Sequence, residues 1–312
     1  MNHKLLQPTT YNPQPSLVII GTIGLDDLET PFGKRMGVLG GSGSYSAIAA
    51  SLFTNPGLIS VMGQDFPKEF LKTYQNKSID LVGVTIAEKT FRWYGSYEFD
   101  MNSAKTLKTE LNSLAEFRPK VPDSYQNAKY LFLANIDPCL QLEVILHMKN
   151  RPFVLLDTMN YWISTNKDEL LTVISKVNAL VLNDAEARQF TGLPNLISAG
   201  RELLNLGPEY VIIKKGEHGS LMFSEGVYFS APSYPLEDLV DPTGAGDSFS
   251  GALMGYLSQQ KTVDQATMRK AIIYGSVVAS YCAEGFSVER LQNITHKDVT
   301  ERYEILQKIR EF

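Results

Sequence analysis

Short apolar runs recur along the whole chain, at 17–20, 58–62, 130–133, 153–157, 179–182 and 211–214. Each has the length of a strand, and most are apolar on both faces. Such a strand must be covered on both sides, which points to a parallel sheet between layers of helices. Helical patterns lie between the runs. Tyr45, Ile48, Ala49 and Leu52 keep i, i+3, i+4, i+7 spacing, and Phe249, Ala252, Leu253, Tyr256 and Leu257 do the same. Strands alternating with helices imply βαβ units. The expected fold class is α/β, a doubly wound, mainly parallel sheet.

One region breaks the rhythm. Residues 90–100 read TFRWYGSYEFD, with Phe91, Trp93, Tyr97 and Phe99 alternating with Arg92, Tyr94, Ser96 and Glu98. That period predicts a strand with one buried and one wet face. Residues 29–38 are turn-rich and non-helical. The two pieces predict a small β lid drawn from about 25–38 and 84–120; an edge hairpin is the plainer alternative. Residues 300–312 read as a solvated amphipathic helix. The 312 residues, 44% hydrophobic and 20% charged, suit a single large α/β domain with that insertion.

Charge narrows the partners. A formal net charge of −5 and a pI near 5.5 leave no basic excess for nucleic acid or an anionic membrane surface. A phosphate ligand remains compatible, because backbone N–H groups bind phosphate without net positive charge. Residues 36–64 carry no charge, but six glycines, five serines and an Asn55-Pro56 break argue for loop, helix, turn and strand over a membrane span. The first sixteen residues contain no apolar core of a signal peptide. Cys139 and Cys282 form no CxxC pattern, so a reduced, cytoplasmic setting is expected. His3, His147, His218 and His296 show no metal-ligand spacing.

The strongest motif is Asp241-Pro242-Thr243-Gly244-Ala245-Gly246-Asp247-Ser248-Phe249, just before the second helical pattern. Three small residues let a backbone turn tightly and approach a ligand. The free N–H groups of the helix start, with the helix dipole, make an anion site. A bound phosphate would repel Asp247, so Asp247 makes sense as a base taking a proton from a hydroxyl that approaches the phosphate. The plainer alternative is a helix cap. Asp247, Gly251 and Gly255 stand at i, i+4, i+8, so the helix face behind Asp247 has no bulk and suits close packing.

The nine-residue string resembles the C-terminal signature of the PfkB/ribokinase family of carbohydrate kinases. Weaker matches follow in order along nearly the whole chain. Gly21-Thr22-Ile23-Gly24-Leu25-Asp26 is similar to the family's first strand, whose Asp holds substrate hydroxyls; Asp26 is the counterpart, with Asp27 the alternative. Gly40-Gly41-Ser42-Gly43 resembles the paired glycines that line the substrate pocket, and Gly63-Gln64-Asp65 the family's G-x-D. Asn183-Asp184-Ala185-Glu186 is similar to N-x-x-E, though a helix cap with a first-turn acid would read the same. Lys215-Gly216-Glu217-His218-Gly219 looks like the G-x-x-G turn at the nucleotide.

The resemblance implies a ribokinase-like, Rossmann-like body with a β lid, and an ATP-dependent phosphotransferase acting on a hydroxymethyl group of a sugar or sugar derivative. Asp247 would be the base, and backbone N–H groups of Gly244, Ala245 and Gly246 would stabilise the transferring group. Asn183, Glu186, Lys215, Gly216, Gly219 and Thr243 would serve ATP, with Glu186 placing Mg2+ through water. Asp241 and the backbone near Gly285 are candidates for a monovalent cation such as K+. Gly24 and Tyr45 stand where relatives that phosphorylate simple sugars carry Asn. Tyr45 and the aromatic strand suit stacking on a ring, which leaves a nucleoside kinase open. Arg92 and Tyr94 would cover the acceptor, Arg92 otherwise being a surface cation. A homodimer and a non-catalytic binding protein are further readings. A dinucleotide-binding dehydrogenase needs GxGxxG after the first strand, and Gly-Thr-Ile-Gly-Leu-Asp fails that pattern.

Overall fold

The apolar runs are strands of one large sheet. Residues 14–101 and 104–311 are described in the computed structural model; the sequence readings at 1–13 and Phe312 lie outside them. The chain opens with β1 (Leu17–Ile20), β2 (Gly24–Thr30), β3 (Gly33–Gly40), α1 (Ser42–Ala50), β4 (Gly57–Gly63), α2 (Lys68–Asn76) and β5 (Asp80–Ala87). Then come β6 (Phe91–Tyr97), β7 (Ala104–Glu110), β8 (Tyr130–Leu133), α3 (Pro138–His147), β9 (Phe153–Asp157), α4 (Asn160–Thr165) and α5 (Lys167–Ile174). The remainder is β10 (Ala179–Asn183), α6 (Asp184–Thr191), α7 (Leu196–Leu204), β11 (Tyr210–Lys214), β12 (Ser220–Ser224), β13 (Val227–Ala231), α8 (Ala245–Leu257), α9 (Gln265–Ala283) and α10 (His296–Ile309).

The main sheet has the order β13-β12-β11-β10-β9-β8-β1-β4-β5. It is parallel from β11 to β5, with β12 and β13 added antiparallel at one edge. The double apolar faces of β1 have the expected cause: Leu17 and Ile19 join a core with α1, α8 and α9, while Val18 and Ile20 join a second core with α3 and α5. The strand order reverses direction between β1 and β8. In open α/β sheets ligands bind outside the carboxyl ends of the strands near such a point. Asp157, Asn183 and Lys214 end β9, β10 and β11 there.

A second sheet, β3-β2-β6-β7, takes in the segments where a lid was expected. It differs from the expected lid in two ways. Residues 84–87 belong to β5 at the edge of the main sheet, and β6 ends at Tyr97. Phe99, expected on the buried face, sits in the following turn and is 93% exposed. The final helix starts at His296, four residues before the expected start, because Thr295 and Asp298 form a capping box. Cys139 is exposed and Cys282 buried, both as free thiols. Among the described residues no helix is long and apolar enough to cross a membrane. Residues 36–64 form strand, helix, turn and strand.

Candidate active site

The turn before α8 is built around Gly244, whose φ of +75° is left-handed. A Cβ on Gly244 would also stand 2.3 Å from the Tyr45 ring. Gly244 is the N-cap of α8 and no side chain caps that end, so Asp247 is not the cap. The Ala245 N–H donates to the Pro242 carbonyl (3.1 Å), which corrects the expectation that it serves an anion. The N–H groups of Gly246 and Asp247, in the same first turn, have no such partner and fit one.

Asp247 stands in that first turn. Burial pushes its carboxyl up to about 7; the Asp157 charge adds to the shift and the Lys214 ammonium opposes it. A carboxyl poised near 7 suits proton abstraction at neutral pH. The bare helix face behind it is used for close packing against α1: a Cβ on Gly251 would lie 2.2 Å from the Ser46 carbonyl oxygen. The Ser46 hydroxyl donates to the Asp247 carbonyl (3.2 Å). Helix α1 is itself held to the end of β1, since Thr22 N–H donates to Ser42 Oγ (3.1 Å) and Ser42 N–H to Thr22 Oγ1 (2.9 Å).

Two charged residues of the candidate site were missed by the motif reading. Lys214 Nζ donates to Asp157 Oδ2 at 2.9 Å. The Asp157 carboxylate is fixed further by the Thr158 N–H (2.9 Å) and the Ser250 hydroxyl of α8 (3.2 Å). A Cβ on Gly246 would sit 3.1 Å from Lys214 Nζ, so the ammonium lies at the mouth of the helix. Burial pulls the Lys214 pKa down, but the Asp157 and Glu186 charges outweigh it and hold the ammonium above the ordinary lysine range. The available signal was position: both residues are charges ending otherwise apolar parallel strands.

Glu186 joins the same group. It forms a capping box with Asn183: Glu186 Oε2 accepts from Asn183 N–H (2.7 Å) and Asn183 Oδ1 accepts from Glu186 N–H (2.8 Å). The helix-cap reading of the N-x-x-E string is therefore what this element shows. Burial pushes Glu186 up to about 7 despite the opposing Lys214 charge and Asn183 N–H. Asp157, Glu186 and Asp247 thus share one ammonium. Among the described residues no three His, Cys, Asp or Glu side chains converge to hold a metal directly. A magnesium placed by Glu186 through water fits that geometry.

Toward the lid, Asp26 is 3% exposed, and a Cβ on Gly40 would fall 2.0 Å from its carboxyl carbon. Gly40 ends β3, and Gly41 precedes α1. Oδ1 of Asp26 and the Tyr45 hydroxyl are buried without a hydrogen-bond partner, polar atoms that fit substrate hydroxyls. Burial, then the Asp241, Asp247 and Asp27 charges, raise the Asp26 carboxyl well above the carboxylate range. Thr243 Oγ1 donates to Tyr97 Oη (3.2 Å), tying the turn before α8 to strand β6. Asp241 is buried and clips two loops, accepting from Thr243 N–H (2.9 Å) and Ser287 N–H (3.1 Å).

The remaining expected residues lie apart. Asp27 is engaged by Arg92 (3.1 Å) and the Gly37 N–H (2.5 Å). The register pairs Asp26 with Trp93 and Asp27 with Tyr94, so Arg92 and Tyr94 share the lid face opposite Asp26. Gly216 starts a short 3₁₀ turn after Lys215, and Lys215 N–H donates to the Gly219 carbonyl (2.8 Å). The lysine of that segment that pairs with an acid of the site is Lys214, one residue before the expected Lys215. Asp65 accepts from Thr90 N–H (2.8 Å) and Oγ1 (2.7 Å), pinning the root of the lid.

Comparison with known proteins agrees with this geometry. The pfkB family carbohydrate kinase profile matches residues 35–290. A cytidine kinase of Thermococcus kodakarensis is 30% identical over 256 residues, 80% of this chain and 91% of that protein. The crystal structure of Methanocaldococcus jannaschii nucleoside kinase, described as an archaeal member of the ribokinase family, superposes with a TM-score of 0.73 at 19% identity, covering 94% of this chain and 100% of that one. Aminoimidazole riboside kinase from Salmonella enterica, solved with aminoimidazole riboside and an ATP analogue, gives a TM-score of 0.73 at 18% identity, covering 92% and 99%. The chain belongs to the PfkB family of carbohydrate kinases, and it is an ATP-dependent sugar or nucleoside kinase.

Proposed function

We propose that this kinase phosphorylates the hydroxymethyl group of a nucleoside, with Asp247 as the base. The observation that carries the chemistry is the half-buried Asp247 carboxyl, poised near 7 in the first turn of α8 beside the Gly246 N–H. Three features support a nucleoside over a free sugar. Gly24 and Tyr45 replace the asparagines of simple-sugar kinases. Aromatic Phe91, Trp93 and Tyr97 line up on the lid face of Asp26. The curated relatives whose sequences match along most of the chain include a cytidine kinase and a nucleoside kinase.

ATP supplies the phosphoryl group, and Mg2+ offsets its charge. The protein does the rest by position. Asp26 Oδ1 and Tyr45 Oη accept or donate to acceptor hydroxyls. Asp247 takes the hydroxymethyl proton. The Gly246 and Asp247 N–H groups face the charge that develops on the transferring group. Glu186 would hold the magnesium through water. Thr243, through Tyr97, couples the helix mouth to the lid. The side chain of Lys215 and the Gly216–Gly219 turn would border the nucleotide. A monovalent cation at Asp241 and Gly285 would compete with the two N–H groups that already hold Asp241, and turnover without potassium tests it. Dimerisation would cover exposed Phe32, Met36 and Leu107 of the lid, and sedimentation tests it.

The test is ADP release with ATP, magnesium and a panel of cytidine, adenosine, inosine, guanosine, ribose and fructose. Turnover on a nucleoside supports the reading. Turnover on a free sugar alone returns specificity to Asp26 and the sugar-kinase reading. A chain that binds ATP but turns over nothing would be a binding or regulatory member of the family.

A further inference from the structure

We propose that Lys214 is a phosphate-contacting residue of the transfer reaction, and that Asp157 is the residue that positions it. The inference rests on the kinase reading above. Lys214 ends β11 with its ammonium beside the Cα of Gly246, where the free N–H groups of α8 open. Among the described residues it is the one lysine or arginine paired with an acid of this cluster. The other lysine of the segment, Lys215, is placed one residue on, where the chain turns away into the 3₁₀ turn.

The arrangement has too little positive charge without a ligand and the right shape for one. Asp157 pairs directly with the Lys214 ammonium, and the Glu186 and Asp247 carboxyls act on the same ammonium through their charge, so one cation offsets the group only in part. Asp157 spends one carboxylate oxygen on Thr158 N–H and shares the other between Lys214 and the Ser250 hydroxyl. Those three donors fix the carboxylate, and the fixed carboxylate fixes Nζ. An ammonium has three N–H bonds. Asp157 takes one, and Gly246 has no side chain to shield the rest. A terminal phosphate arriving at the Gly246 N–H would meet Nζ at the same moment. Point-charge recognition of phosphate by lysine is a common solution. The proposal also gives Gly246 a second reason to lack a side chain: a Cβ 3.1 Å from Nζ would push the ammonium off the site.

A buried ion pair with no ligand role makes a different prediction. It would change stability and leave the preference among nucleotides alone. Calorimetric titration of the full chain with ATP, ADP and AMP, without acceptor, separates the two. In Lys214→Met, ATP affinity is expected to fall about tenfold or more, the worth of a charged hydrogen bond, while AMP affinity moves less than about threefold. Lys214→Arg keeps the charge and restores part of the ATP preference. Asp157→Asn leaves the ammonium but loosens it, so the ATP-over-AMP ratio falls by a smaller factor. Because a lone buried carboxylate can unfold a protein, Asp157→Asn/Lys214→Met removes both charges together and serves as the folding control. Folded Lys214→Met and double variants that keep the wild-type ATP-over-AMP ratio would overturn the proposal. Binding requires no turnover, so a wild type that prefers ATP through Lys214 yet phosphorylates no acceptor sinks the kinase reading and with it the role in transfer, and leaves Lys214 as a phosphate contact only.

Discussion

Replacing Asp247 by Asn should make the protein more stable and inactive at once. The carboxyl rises from 3.8 to about 7 chiefly through burial. A folded-state pKa above the unfolded one means the native state binds the proton more tightly. Stability is therefore lost as pH rises from about 4 to about 7, and the loss is complete above 7. Three pKa units correspond to about 4 kcal/mol as an upper bound. At pH 5 only about a third of that has accumulated. Asn removes the titration but keeps the shape. Asp247→Asn should then unfold several degrees above wild type at pH 8, with a clearly smaller gain at pH 5. Thermal unfolding of both proteins at the two pH values measures it. A variant no more stable at pH 8, or one with the same gain at both pH values, would refute the claim that the active-site carboxylate is held in a costly buried state. Such a cost is expected where function and stability conflict.

Other consequences follow from the same geometry. The kcat/KM profile should fall about tenfold per pH unit below about 7, because only ionised Asp247 accepts a proton; a profile flat to pH 5.5 contradicts this. Gly251→Ala gains about 1 kcal/mol of helix propensity, yet its Cβ would meet the Ser46 carbonyl at 2.2 Å. A net loss of about 1–3 kcal/mol in denaturant unfolding is expected, and a stabilised variant would show that α1 and α8 can part cheaply. Tyr97→Phe deletes the link from the lid to Thr243. It should cost about 1 kcal/mol, read as a several-fold rise in acceptor KM with ATP binding unchanged; unchanged KM means the lid closes without it.

Much of the body was legible because its strands are buried on both faces. Runs such as 130–133 and 153–157 coincide with β8 and β9. The edge strands were harder. In β7 nearly every residue is exposed and in β5 the exposures are mixed, so no clean period marks either. Phe99 carried the alternation of β6 past its true end, since a period cannot show where hydrogen bonding stops. At the site, small residues and Asp247 form a contiguous string and were visible as one. Asp157 and Lys214 lie 57 positions apart and meet only when β9 and β11 take their places on either side of β10. Arg92 was assigned to the substrate from its strand face, and only the register with β2 shows that Asp27 holds it on the other side.

The most direct test of the account is ADP release from ATP and magnesium with a nucleoside acceptor, comparing wild type with Asp247→Asn at pH 8. The account predicts turnover by wild type, a loss of at least about a hundredfold in the variant and intact ATP binding in both. Near-normal turnover by Asp247→Asn would contradict it.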